Sequence, residues 1–289
     1  DAKVMLFRAA EMWEAADNRS DARRVYERWL SLYGDDDADR WVETQWKLAG
    51  FLRDEGKAKK ADEKVAMIAN SYVTQKESLG GIGIHINAEI AFRPLQADFA
   101  EYEAFQFPKD ISNIDAIKAA IERKLAWNNE LKARFDAFVV QYPDFEWQTA
   151  ALYYKALSYK RHGETWINST NPFDFESEDP DEVDRAISYQ DQLFAQAKPF
   201  EDASVVGFQQ VVEFARQKKR HTAWVDEALR ELNRTDPNTY PVPKPETSTV
   251  IESDTPALPE AIDELPKQQS ALDRIESSER LAWLQGVHR

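Results

Sequence analysis

Residues 41–72, WVETQWKLAGFLRDEGKAKKADEKVAMIANSY, decide the fold. Trp41, Gln45, Leu48, Ala49 and Leu52 recur three and four residues apart, which places them on one face of a helix. Gly56 interrupts the run, and Ala61, Val65, Ile68 and Tyr72 then repeat the spacing on a second helix. Two amphipathic segments joined around a glycine read as a helical hairpin whose apolar faces cover each other.

The forty residues upstream follow the same plan. Leu6, Ala9, Ala10, Trp13 and Ala16 predict a first helix, Asp17 and Asn18 break it, and Ser20 or Asp21 is placed to cap a second. That second helix carries Ala22, Tyr26, Trp29 and Tyr33 on one face and stops at Gly34. The acidic segment 35–39 precedes the hairpin at Trp41, where carboxylates meet the positive end of a helix dipole. A calcium loop needs oxygen ligands at alternate positions around a glycine, a pattern this segment lacks, so helix capping is the reading adopted.

The pairing of small with large residues resembles the tetratricopeptide repeat, in which small side chains let two helices approach and a breaker ends each unit. Ala10, Trp13, Ala22 and Tyr26 match in the first unit, with Gly34 at the usual proline position; Leu48, Ala49, Gly56, Ala61 and Val65 match in the second. A third trace surrounds Tyr142-Pro143, with Phe135 and Phe138 before it and Trp147, Ala150, Ala151 and Tyr154 after it. The resemblance covers about half the chain. It implies an all-α fold, an α-solenoid of stacked hairpins, and a protein that binds other proteins, of the kind found in bacterial cell envelopes.

Between these traces, Gly80, Gly81 and Gly83 read as a long connection, because no strand precedes them and no Lys-Ser or Lys-Thr pair follows to make a phosphate loop. Helices are expected from Ala88 to Phe105, from Asn113 to Gln141 with Ile114, Ile117, Ile121, Leu125 and Asn128 as its buried face, and from Trp147 to Arg161. An acidic loop then runs to Pro180. Further helices are expected at 182–197, 202–217 and 222–233, separated by Pro199 and by the turn at Lys218-Lys219-Arg220. Val205, Phe208, Val212 and Ala215 form the apolar stripe of the middle one.

Composition changes after Thr235, since 7 of the 13 prolines lie in residues 236–269. The expected organisation is therefore a helical domain over 1–235, a proline-rich linker over 236–269, and a short docking helix over 270–289. Leu272, Ile275, Leu281, Trp283 and Leu284 are its candidate partner-binding residues, because such a helix cannot bury its apolar face alone.

Hydrophobic residues at 43%, with 9 Trp, 15 Phe and 10 Tyr, supply a packed core. The formal charge of −15 repels phosphates and argues against nucleic acid as a partner. No apolar run is long enough to enter a membrane. Cysteine is absent, which removes disulfides and thiolate metal sites. The four histidines fall in separate segments, no Gly-x-Ser-x-Gly elbow occurs, and the acidic pairs sit in solvated stretches, so neither cofactor nor catalysis is expected. The start at Asp1, almost directly in a helix, reads as processed or trimmed. With these features, the resemblance implies a non-enzymatic scaffold in a multi-subunit envelope complex, periplasmic or alternatively cytoplasmic. A helical enzyme with a carboxylate-lined cleft, or a module for peptides or small molecules, is the alternative.

Overall fold

In a computed structural model that describes residues 2–110 and 112–241, the chain forms nine α-helices and no strand among those residues. They are α1 (Ala2–Ala15), α2 (Arg19–Tyr33), α3 (Ala38–Asp54), α4 (Ala58–Gln75), α5 (Gly81–Ala104), α6 (Ile114–Gln141), α7 (Phe145–Ile167), α8 (Pro180–Lys218) and α9 (Ala223–Thr235). Each packs on its neighbour in sequence, and α5 also packs on α3; α5 with α7 and α7 with α9 continue that row. The expected hairpins α1–α2 and α3–α4 are present.

The first hairpin is capped by Asn18, whose side chain accepts from the Asp21 amide, rather than by Ser20 or Asp21. Gly56 turns the second at φ +73, a conformation that suits a residue without a Cβ. Phe7, Ala10, Ala22, Tyr26, Trp29, Leu48 and Phe51 fill the core of α1–α3. Of the tryptophans read as core, Trp29 is fully buried, whereas Trp13 is 41% exposed.

Three expectations fail further along. Residues 80–83 are the start of a helix and not a connection. Asp39, at the head of α3, accepts from the Gly80 amide at 2.8 Å and the Gly83 amide at 3.0 Å, so its carboxylate caps α5 from a distant part of the chain. Second, Pro199 does not separate two helices, because α8 runs through it for 39 residues. A proline removes one N–H from the ladder, and close packing offsets that loss. Gly163 of α7 lies against Ala197, Phe200 and Glu201, and a Cβ on Gly207 would stand 2.7 Å from that of Ala156. Third, the expected face of α6 is buried only in part: Asn128 is fully buried, together with Ala120, Lys124, Leu131, Phe135 and Phe138, and Ile117 and Ile121 are half-buried. Ile114 and Leu125, expected inside, are 61% and 41% exposed.

The largest core joins α5 to α9, with Phe92 at its centre against Phe138, Trp147 and Tyr154. Tyr240 packs on this core beyond the expected boundary at 235; its hydroxyl accepts from Gln209 Nε2 at 2.7 Å and its carbonyl from Asn233 Nδ2 at 2.7 Å. The proline-rich segment from 242 onward lies outside the described residues.

Candidate functional site

The amino ends of α3, α5, α7 and α9 lie side by side, and a polar contact joins each to the next. Asp39 of α3 caps α5. His85, in the second turn of α5, meets Asp144 through Nδ1 and Oδ2 at 3.1 Å, and Asp144 Oδ1 accepts from the Trp147 amide at 3.0 Å to cap α7. The Thr149 hydroxyl of α7 lies 2.9 Å from that of Thr222, the residue before α9. Local sequence accounts for the cap of α7, since Asp144 precedes a helix-forming run and accepts its third amide, whereas the cap of α5 comes from a distant part of the chain.

Two clefts flank the amino end of α5. The larger, about 840 Å³, has Asp35, Asp36, Asp37, Asp39 and Trp41 on one side and Ser71, Gln75 and Ser78 on the other. Asp37 caps α3 through the Arg40 amide at 3.1 Å and pairs with Lys3 at 3.3 Å, while Asp39 serves α5. Only Asp35 and Asp36, both exposed on a single turn of 3-10 helix, are left for anything else. The second cleft, about 400 Å³, lies between the starts of α5 and α7 and is bordered by His85, Asp144 and Arg220.

A separate cluster of polar groups is sealed inside α5, α6 and α7. Lys124, fully buried, donates to the Tyr102 carbonyl at 3.2 Å and the Phe105 carbonyl at 2.5 Å, satisfying the last turn of α5. Burial pushes its ammonium down to about 8, against the opposing pull of Glu103 and Glu164. Asn128 donates to the Tyr102 hydroxyl at 2.8 Å and the Ser158 carbonyl at 2.9 Å. The Tyr102 hydroxyl donates to the same carbonyl at 3.0 Å and lies 3.3 Å from His162 Nδ1, and burial raises its pKa. His162, with its ring tilted against that of Phe200 at 4.0 Å between centroids, is pushed down to about 4 by burial, with Lys124 and Lys132 adding to the effect. None of these groups lines either cleft, so they act as structural ties.

The candidate partner residues Leu272, Ile275, Leu281, Trp283 and Leu284 lie outside the described residues. In the acidic loop, Asp179 caps α8 through the Asp181 amide at 3.1 Å and Glu182 accepts from the Ser177 hydroxyl at 2.7 Å. Among the described residues no group of three or more His, Asp or Glu side chains is arranged to hold a metal, and no helix is long and apolar enough to cross a membrane. The sequence reading missed His85, Asp144 and Arg220 as neighbours, because their meeting depends on the packing of α5 against α7. Comparison with protein-family models, with curated proteins and with solved structures finds no match.

Proposed function

We propose that the chain is a tetratricopeptide-like α-solenoid that works as a non-enzymatic scaffold for other proteins, as a subunit of a periplasmic complex. One observation carries this reading: the row of α3, α5, α7 and α9, tied head to head by Asp39, by the His85–Asp144 pair and by Thr149 with Thr222. Serial packing of this sort gives an extended edge with clefts between successive helices, which suits a protein surface better than an enclosed substrate. The periplasmic placement rests on the absence of cysteine and on the resemblance.

The test is affinity purification of the full chain from envelope extracts, followed by titration of each recovered protein, itself purified, against the chain. A fixed stoichiometry and a micromolar or tighter Kd support the scaffold. If no recovered protein rebinds, the reading is lost. Deleting residues 243–289, which spares Tyr240, is expected to remove at least one partner if the tail takes part.

The enzyme reading has one observation in its favour, Trp41 beside the carboxylates of the larger cleft. It requires Asp35 and Asp36 to act as the working pair, since Asp37 and Asp39 are engaged as caps. Hydrolysis of oligosaccharide or peptide substrates by the full chain, abolished by Asp36→Asn, would replace the scaffold proposal.

A further inference from the structure

We propose that the smaller cleft binds a monocarboxylate with a short apolar body. The inference is independent of the scaffold reading and begins from charge. The Arg220 guanidinium lies 4.6 Å above the Phe145 ring, and among the described residues it has neither a hydrogen-bond acceptor nor a carboxylate partner. Nearby Arg216 and Arg230 each find a glutamate within their own helix.

The other charges in the cleft are accounted for. Asp144 divides its two oxygens between the Trp147 amide and His85 Nδ1. That bond leaves Nε2 of the half-exposed His85 available to a ligand. Asp39 accepts from the Gly83 amide in the first turn of α5 and Asp144 from the Trp147 amide in that of α7, so a carboxylate already stands at each helix start. The unmet positive charge is the single guanidinium, whose planar fork matches a carboxylate. A phosphate dianion would bring a second charge toward Asp144 and Asp39.

The walls define the rest of the ligand. Ile82 is 45% exposed, and Ile84 and Pro143 border the same space. At about 400 Å³ the cleft is at the small end for ligand sites and holds a branched acid of a few carbons. No serine, threonine or lysine lines it, and the inference is of binding alone.

Amide correlation spectra of the labelled full chain, titrated at pH 7 with 4-methylpentanoate, test it. Resonances of Gly81, Ile82 and His85 are expected to shift saturably with a millimolar Kd. The matching amide, 4-methylpentanamide, and the variant Arg220→Gln should each weaken binding at least tenfold, with the thermal midpoint of the variant unchanged. Ile82→Ser should weaken 4-methylpentanoate and leave acetate unaffected. Equal binding of acid and amide, unaltered binding by Arg220→Gln, or acetate binding as tightly as the branched acid would overturn the proposal. So would tighter binding of inorganic phosphate, or a leucine-terminated tripeptide binding more than tenfold tighter than 4-methylpentanoate, which would make the occupant a chain end.

Discussion

Around Trp29, helices α1–α3 close on ring contacts, with Phe7 meeting Tyr26 at 5.6 Å and Trp29 at 5.4 Å, and the polar ties lie at the edge. Around Tyr102, helices α5–α7 close on ring contacts and also on a sealed set of polar groups, Lys124, Asn128, Ser158 and His162. A repeat-like hairpin can therefore be built from size alone, by matching alanines to tryptophan and tyrosine. Long helices that cross several neighbours add directional bonds, which fix their register but tie stability to pH.

Removing the centre of the second region gives the largest expected effect. Phe92 is fully buried and meets Phe135, Phe138, Trp147 and Tyr154 with ring centroids 5.2 to 6.2 Å apart. Phe92→Ala is expected to cost on the order of 3–5 kcal/mol in urea unfolding. A loss below about 2 kcal/mol would mean that α5–α7 are held mainly by their polar groups.

Acidification separates the two regions next. His162 has its pKa lowered from 6.5 to about 4, chiefly by burial, so the folded state disfavours its proton. The stability it confers is complete above pH 6.5 and is lost as pH falls from 6.5 toward 4. At about 1.4 kcal/mol per pH unit, that is on the order of 3 kcal/mol. Helices α1–α4 contain no histidine. Corrected for the slower intrinsic exchange in acid, amide protection factors between pH 6.5 and 4.5 should therefore fall in α7 before α2, and His162→Gln should flatten the difference. An equal fall in both helices would erase this contrast between the regions.

The two regions also differed in how plainly the sequence announced them. In α1–α4 the apolar repeats fall within two local hairpins, and Gly56 and Asn18 lie at the breaks, so apart from the exposed Trp13 local pattern and packing agree. From α5 onward the deciding interactions are remote. The cap of α5 is Asp39, 41 residues before Gly80, and without it the glycines read as a connection. Pro199 reads as a break until Gly163 and Gly207 are seen pressing α7 against α8. Lys124 is a residue type seldom buried without partners, and its partners are carbonyls at the end of another helix, so Ile114 and Leu125 of α6 pointed to the wrong face. Arg220 reads as part of a basic turn, and only the fold brings it over Phe145.

Asp39 gives a third, smaller effect. Asp39→Ala should cost about 1–2 kcal/mol by uncapping Gly80 and Gly83. A Cβ on Gly80 would stand 2.3 Å from Asp39 Oδ2, so Gly80→Ala should be costly in the native chain and milder beside Asp39→Ala. Additive losses in chemical denaturation would show that the carboxylate is not what excludes a side chain there.

The smallest effect concerns the polar tie of the first region. Glu14 Oε2 accepts from the Tyr26 hydroxyl at 2.7 Å and from Lys47 Nζ at 2.7 Å, linking α1, α2 and α3. Its side chain is 33% exposed and that of Lys47 is 24% exposed, so water and salt reach the pair. A double-mutant cycle of Glu14→Gln with Lys47→Gln should give a coupling of about 0.5 kcal/mol that shrinks further in 0.5 M salt. The corresponding cycle of Tyr102→Phe with Asn128→Leu, across a bond sealed from solvent, should give at least twice that coupling and little response to salt. If instead the Glu14–Lys47 coupling were the larger and indifferent to salt, the first region would be held by a desolvated ion pair, and aromatic packing would lose its place as the main cause of its closure.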